Sequence, residues 1–156
     1  MTAAGFRFAI VVSRWNRELT SKLERGATEA FTQAGAGDAG IEVFSVPGSF
    51  ELPLASLKAA QSGKFDAVVA LGVVIRGDTP HFDFVAGQAA AGIMQAALQT
   101  GIPVMFGVIT ANTVEQARER AGDGIDNKGY EAAVSAIEMV NLFREMGRAK
   151  VQGGGD

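Results

Sequence analysis

Short apolar runs alternate along the chain with longer stretches in which apolar residues recur at helical spacing. The apolar runs are rich in β-branched residues, which is typical of strands buried on both faces. Four such runs are predicted as strands, at residues 6–12, 41–46, 67–75 and 104–109. The helical spacing predicts helices at about residues 16–34, 50–61, 80–100, 113–121 and 130–146.

This alternation favours an α/β fold with a parallel sheet, because parallel neighbours need crossover connections and helices supply them. A chain of 156 residues is long enough to bury one core, so we expect a single domain over residues 1–156. Residues 1–5 and about 148–156 are expected to be flexible. In open α/β sheets, ligands bind outside the carboxyl ends of the strands.

Three predicted helices are preceded by residues that can cap them. Asn16, Thr79 and Thr113 have side-chain oxygens that can accept from the first free N–H groups of a helix. Pro80 would then occupy the first helical position after Thr79, where proline is favoured.

The last predicted helix has two apolar stripes, although a helix on the outside of one sheet needs only one. The two stripes consist of Ala133, Ile137 and Val140, and of Ala136, Met139, Phe143 and Met146. The second stripe fits either a contact with another subunit or a deeply buried helix, and the pattern alone leaves both open.

Composition excludes several classes of protein. With 47% apolar and 20% charged residues, the chain is not of the disordered type, and a net charge of −3 disfavours nucleic acid and anionic membranes as partners. The absence of cysteine excludes disulfides and thiolate chemistry, and a lone histidine excludes a histidine-rich metal site within one chain. No signal pattern and no apolar run near the ~20 residues of a membrane helix is present, so we expect a cytoplasmic protein.

Polar and aromatic residues follow three of the predicted strands, and these strand ends should meet at one edge of the sheet. They are Ser13-Arg14-Trp15-Asn16, Pro47-Gly48-Ser49-Phe50-Glu51 and Arg76-Gly77-Asp78-Thr79-Pro80-His81. Aromatic walls, a hydroxyl beside a carboxylate, and an imidazole suit a flat polar heterocycle. Each also has a structural alternative: the aromatics as core residues, Glu51 as a stabiliser of a helix N-terminus, and His81 as a solvated side chain.

Six segments, in order, resemble the lumazine synthase family, and the resemblance runs from Phe6 to about Arg144. Arg76-Gly77-x-Thr79-x-His81-Phe82 is the most specific stretch within them. The segments are Ser13-Arg14-Trp15-Asn16, residues 46–53, residues 72–82, Phe106-Gly107-Val108-Ile109-Thr110, residues 115–122, and Asn127-Lys128-Gly129.

The resemblance implies a three-layer α/β/α sandwich with a four-stranded parallel, flavodoxin-like sheet. It also implies a transferase of riboflavin biosynthesis, which joins 5-amino-6-(D-ribitylamino)uracil to 3,4-dihydroxy-2-butanone 4-phosphate. The products are 6,7-dimethyl-8-ribityllumazine, phosphate and water, and no metal or organic cofactor is implied. Active sites are expected between subunits of a homopentamer, and association of pentamers into an icosahedral capsid is compatible with the resemblance.

Carried over by position, one group of residues is implied to bind the pyrimidine and its ribityl chain. Trp15 would stack on the pyrimidine, and Val74 and Ile75 would offer backbone contacts to the ring. The remaining members of this group are Ser49, Phe50 and Glu51 from one subunit, and Phe106 and Lys128 from its neighbour.

A second group is implied to bind the phosphate and to move protons. Arg120 of the neighbour would join the backbone N–H groups of Gly77, Asp78 and Thr79, since a helix N-terminus with a guanidinium attracts anions. His81 is implied as the acid–base residue, and Glu131 is expected to steady the charges around Lys128.

Two alternatives to an active enzyme follow from the same scaffold: a non-catalytic flavin or lumazine binder, and a shell-forming protein with a vestigial site. Formation of fluorescent lumazine from both substrates separates either of them from an enzyme.

Overall fold

The computed structural model describes residues 1–152, with side chains described through residue 147. Its centre is a sheet of four parallel strands in the spatial order β2-β1-β3-β4. The strands are β1 (Phe8–Ser13), β2 (Ile41–Val46), β3 (Ala67–Ile75) and β4 (Val104–Ala111). The expected parallel α/β architecture is thereby confirmed, and β4 extends two residues beyond its predicted end because Thr110 and Ala111 pair with Val74 and Ile75.

The helices follow the strands in the predicted order. They are α1 (Arg17–Gln33), α2 (Leu52–Gln61), α3 (His81–Thr100), α4 (Val114–Arg120) and α5 (Lys128–Gln152). Short 3-10 turns stand at Asp38–Gly40, Ser49–Glu51 and Gly124–Asp126. The start of α5 lies two residues before the predicted Tyr130, inside the expected glycine-rich loop.

The sheet separates two hydrophobic clusters, which makes the fold a three-layer α/β/α sandwich. Alternate β1 side chains point to opposite faces, as a period of two requires. Phe8, Ile10 and Val12 join the cluster beneath α1 and α5, whereas Ala9 and Val11 join the cluster beneath α2 and α3.

The strand order creates a switch point between β1 and β3. The chain leaves β1 through α1 on one face of the sheet and leaves β3 through α3 on the other. In doubly wound folds of this order, the crevice at that point is the usual ligand site. A ligand site is therefore expected at the carboxyl ends of β1 and β3.

The three predicted helix caps have different outcomes. Thr113 caps α4 as predicted, since its side chain accepts from the N–H of Gln116 at 3.2 Å. Asn16 precedes α1 but makes no side-chain cap; it adopts the left-handed region at φ 61°, and its Nδ2 donates to Val73 O at 3.1 Å. Pro80 rather than Thr79 stands at the N-cap of α3, while Thr79 Oγ1 accepts from the N–H of His81 at 3.4 Å.

Thr2 and Ala3 contact the rest of the fold, while Met1, Ala4 and Gly5 are exposed, and the flexibility expected for residues 1–5 stays a prediction. Ala3 is fully buried, and its N–H donates to Ala34 O at 2.9 Å. Asn141 of α5 donates to Thr2 O at 2.8 Å. The flexibility expected for about residues 148–156 stays a prediction, because the side chains of 148–152 and all of 153–156 lie outside the described residues.

The two stripes of α5 differ in burial. Ala133, Ile137 and Val140 are in the core, as is Ala136 of the second stripe. The far end of the second stripe is not, since Phe143 is 42% and Met146 57% exposed. Deep burial therefore does not explain that end of the stripe. Within residues 1–152, no helix is both long and apolar enough to cross a membrane.

Candidate active site

Three strand ends converge around Gly72 of β3, as the sequence predicts. A Cβ at Gly72 would lie 3.1 Å from Ser13 Oγ and 3.0 Å from Leu52 Cδ1, and it would overlap Ser49 Oγ. Ser13 is the last residue of β1, Ser49 comes after β2, and both are buried. Only glycine lets these three elements approach so closely. We call residues 13–16, 47–51 and 76–81 the sheet-edge region.

Trp15 and Phe50 form exposed aromatic surface in the sheet-edge region. Their side chains are 65% and 58% exposed, which excludes the alternative that they are core residues. A Cβ at Gly48 would lie 2.8 Å from Trp15 Cε3, so glycine at this position leaves room for the indole. Large apolar side chains left open at a sheet edge are typical of surfaces that contact a ligand or a partner.

Glu51 has the structural role weighed for it, yet it remains exposed. Its Oε2 accepts from the N–H of Gly48 at 3.0 Å, which ties down the turn that leads into α2. A Cβ at Gly48 would lie 3.3 Å from the same oxygen. The Trp15 ring and one oxygen of the Glu51 carboxylate thus both pack against Gly48.

Val74 and Ile75 lie where β3 runs past the end of β1. The last pair between these strands is Val12 with Leu71, so residues 72–75 continue beyond β1 while still pairing with β4. Asn16 covers one carbonyl there, Val73 O. The protruding end of β3 offers backbone polar groups to a ligand, which is compatible with the expected ring contacts.

His81 is the first residue of α3 and is exposed at the same edge. The preceding Gly77, Asp78 and Thr79 are exposed as well. These residues occupy the N-terminal side of a 20-residue helix, where free N–H groups and the helix dipole favour an anion. The exposed Asp78 side chain can extend into solvent rather than oppose an anion.

Arg76 organises this loop, a role that the sequence did not reveal. Its Nε donates to Asn112 Oδ1 at 2.9 Å, and a terminal nitrogen lies 3.3 Å from Asp83 Oδ1. The guanidinium also lies 4.4 Å from the centre of the Phe82 ring. Arg76 therefore joins the β3–α3 loop to the β4–α4 loop and to the first turn of α3. The only local signal was a charged residue directly after a long apolar run.

A second region gathers the residues expected from a neighbouring subunit. A cavity of about 300 Å³ lies beside β4 and the start of α5, and we call it the β4–α5 pocket. Its lining comprises Phe106, Val108, Ile109, Thr110, Arg120, Asp126, Lys128 and Glu131. Lys128 Nζ lies 3.0 Å from Glu131 Oε1, so the expected charge partner of Lys128 is in contact with it.

Among the described residues, the lining of the β4–α5 pocket includes no residue of the sheet-edge region. The β4–α5 pocket contains none of Trp15, Phe50 or His81. It also lies at the outer strand β4, whereas the sheet-edge region surrounds the ends of β1 and β3. One copy of the chain therefore presents an aromatic and imidazole surface in one place and, in another, a pocket lined by two basic and two acidic side chains.

The fold and these two regions define the class: an α/β protein of flavodoxin-like strand order, suited to a flat heterocycle and an anionic group. Residues 5–144 match the model of the family described as 6,7-dimethyl-8-ribityllumazine synthase. The chain belongs to the 6,7-dimethyl-8-ribityllumazine synthase family.

Individual relatives cover nearly the whole chain. A 6,7-dimethyl-8-ribityllumazine synthase of Thermus thermophilus is 55% identical over 148 residues, which is 95% of this chain and 94% of the relative. Relatives of the same name from Chlorobium chlorochromatii and Desulfatibacillum aliphaticivorans are each 53% identical and cover 94% and 93% of this chain, with 94% of each relative aligned. The resemblance stated from the motifs is thereby confirmed.

Proposed function

We propose that the chain condenses 5-amino-6-(D-ribitylamino)uracil with 3,4-dihydroxy-2-butanone 4-phosphate to give 6,7-dimethyl-8-ribityllumazine, the penultimate step of riboflavin biosynthesis. The observation that carries this proposal is the family match over residues 5–144. That match includes every residue of the sheet-edge region and of the β4–α5 pocket, and the relatives named above carry the name of this activity.

In this proposal the sheet-edge region binds the pyrimidine. Trp15 stacks on the ring, while Val74 and Ile75 offer backbone hydrogen bonds. Ser49, Phe50 and Glu51 frame the heterocycle and its ribityl chain. The exposure of both aromatic side chains supports this assignment, because a stacking residue must be open to its ligand before binding.

The phosphate site combines two copies of the chain. Gly77, Asp78 and Thr79 contribute backbone N–H groups at the start of α3, and Arg120 of the adjacent copy contributes its guanidinium. Phe106 and Lys128 of that copy complete the pyrimidine side. Their shared cavity supports the assignment, since it brings Phe106, Arg120 and Lys128 around one space. Asp126 and Glu131 also line it, and Glu131 pairs with Lys128, which leaves the Arg120 guanidinium for the anion.

The reaction forms new bonds from both nitrogens of the pyrimidine substrate and releases phosphate and water. Every step moves protons, and none is a redox step. The free amine of the pyrimidine attacks the ketone, and loss of water gives an imine. Removal of a proton from the carbon next to the imine then expels phosphate and leaves an enol. The enol tautomerises to a second ketone, and the ribityl-bearing nitrogen attacks that ketone and closes the ring with loss of water. Holding two reactive molecules in one cleft supplies much of the rate, because it removes the entropic cost of their encounter.

His81 is the proposed acid–base residue. An imidazole can both give and take a proton near neutral pH, which suits imine formation and tautomerisation alike. Its position at the N-terminus of α3, next to the proposed phosphate loop, supports a role in protonating the departing phosphate. Lys128, paired with Glu131, would hold a positive charge on the opposite side of the ligand.

Self-association into a homopentamer is part of the proposal, because one chain keeps the two regions apart. Apolar side chains left open on α3 and α5 support it, among them Phe84, Leu98, Phe143 and Met146. Size-exclusion chromatography with light scattering tests the proposal: a mass of five chains, or a multiple of five as in a decamer or capsid, supports it. A monomeric protein with full activity would contradict it.

The other proposed partners are the two small-molecule substrates, with no nucleic acid and no membrane. We also propose a cytoplasmic location, where such phosphorylated metabolites would be accessible. Fractionation of cells that express the tagged chain tests the location, and recovery in the membrane fraction would contradict it.

The decisive experiment mixes purified protein with both substrates and follows lumazine fluorescence. An enzyme accelerates product formation far above the spontaneous reaction, and omission of either substrate abolishes the signal. Binding of lumazine without acceleration would instead indicate a non-catalytic binder or a shell protein on the same scaffold.

A further inference from the structure

We infer that Asn127 is a positioning residue that fixes the β4–α5 pocket by tying the loop between Arg120 and Lys128 to α1. The inference rests on the proposed function, because it concerns the geometry of the proposed phosphate site. Asn127 lies directly before Lys128 and is 3% exposed, so it touches no ligand itself.

The side chain of Asn127 uses its full hydrogen-bonding capacity. Its Nδ2 donates to Lys22 O of α1 at 3.0 Å and to Gly122 O at 2.9 Å. Its Oδ1 accepts from the N–H of Gly129 at 2.9 Å and of Tyr130 at 3.0 Å. An amide offers two donors and two acceptor positions, and no other neutral side chain of this size satisfies all four backbone groups.

These bonds hold both ends of one loop. The oxygen caps the N-terminus of α5, which fixes the direction in which Lys128 leaves the loop. The nitrogen anchors Gly122, two residues after Arg120, and Asn127 also forms a backbone bridge with Ala121. Arg120 and Lys128 thus stand at the two ends of one loop. Among the described residues, Asn127 is the one whose side chain hydrogen-bonds to both ends of this loop.

The Asn127 amide packs closely against α1. A Cβ at Gly26 of α1 would overlap Asn127 Oδ1 and lie 2.6 Å from its Cγ. A Cβ at Gly129 would lie 2.7 Å from the backbone carbon of Leu23. Two glycines therefore allow α1, the loop and α5 to meet around one buried amide, which places the β4–α5 pocket relative to the rest of the fold.

The test compares Asn127→Ser with Asn141→Ser as a matched control. Serine can still cap α5 through its Oγ, but it is too short and lacks the donors to reach Lys22 O and Gly122 O. Asn141 is a second buried asparagine of α5 whose Nδ2 also donates to two carbonyls, Thr2 O and Ile137 O, away from the β4–α5 pocket. Both variants therefore lose the same kind of bonds.

We expect Asn127→Ser to raise the KM for the phosphate substrate about tenfold with kcat within about twofold, because displacement of a positioning group by about an ångström weakens a contact strongly. The inhibition constant of inorganic phosphate should rise by the same factor. Asn141→Ser should leave both quantities unchanged, although thermal unfolding of both variants shifts to lower temperature.

An unchanged KM in folded Asn127→Ser, or an equal rise in Asn141→Ser, overturns the inference. So does a rise that accompanies loss of the wild-type mass in light scattering. If Asn127→Ser does not fold, Gly26→Ala decides, because its added methyl group displaces the amide without removing it and should produce the same phosphate-specific rise. A wild-type protein without synthase activity would reject the proposed function instead, and phosphate binding to the variants would still report on the loop.

Discussion

The sheet-edge region and the β4–α5 pocket are built in different ways. The first stands on short runs of residues at three strand ends, where local contacts such as Glu51 to Gly48 combine with distant ones such as Asn16 to Val73. The second joins residues from β4, α4 and α5, and a buried amide bonded to α1 holds its loop. One region is aromatic and open, and the other is a concave pocket lined by two basic and two acidic side chains.

This difference shows how one small chain can contribute two unlike surfaces to a reaction with two substrates. Neither region alone encloses a ligand site. The sheet-edge region lies at the ends of β1 and β3, whereas the β4–α5 pocket lies beside the outer strand β4. Their chemical complementarity fits a cleft formed between copies, since a heterologous contact joins unlike surfaces of identical chains and closes into a ring.

His81→Ala should cause the largest effect, a fall in kcat of about 10²-fold, because a positioned acid–base group contributes at least this much. Activity should not vanish, since the cleft still holds both substrates together. Stopped-flow fluorescence with both substrates saturating measures kcat. If the rate is unchanged, His81 has no part in proton transfer.

Arg120→Ala should raise the KM for the phosphate substrate about 30-fold, equivalent to about 2 kcal/mol for a charge-assisted hydrogen bond. The KM for the pyrimidine should change by less than about threefold, because Arg120 is proposed to contact only the anion. Arg118→Ala is the matched control, since Arg118 lies on the same helix but pairs with Glu18 at 3.9 Å. An equal rise for both substrates would falsify the phosphate assignment.

Co-expression of His81→Ala and Arg120→Ala should restore activity that neither variant has alone. In a randomly mixed ring, about one quarter of the clefts combine an intact imidazole from one copy with an intact guanidinium from the next. Assayed at low phosphate-substrate concentration, the mixture should therefore be about tenfold more active than the mean of the two variants. Activity no higher than that mean would place both residues in one chain's own site.

Asn16→Ala should affect stability rather than the kinetic constants, with a loss of about 2 kcal/mol in the free energy of unfolding. About half comes from forcing alanine into the left-handed region and about half from losing the bond to Val73 O. Asn16→Gly should lose only the second part, because glycine adopts positive φ freely. Urea unfolding followed by tryptophan fluorescence measures both, and equal losses would show that backbone strain is not the reason for asparagine here.

Sequence patterns alone predict most of the fold. The bounds of β2 and β3 agree with the prediction because apolar runs record burial directly. The cap at Thr113 agrees as well, since it depends on residues three apart. Asn16 stands at the N-cap of α1 as predicted, but the predicted side-chain cap is absent. Its side chain instead bonds a strand 57 residues away, and no local pattern contains that partner.

The chain's own residues determined the alternation of strands and helices, the three strand ends that meet at one edge, and the motifs that identify the family. These follow from burial periodicity, turn chemistry and residue order, which are properties of short segments. Only the tertiary structure decided that Phe106, Arg120 and Lys128 line one cavity, that Arg76 ties two loops together, and that Asn127 joins the pocket to α1. Such contacts depend on how distant segments pack, because a hydrogen-bonding side chain takes the partner that the assembled core brings within reach.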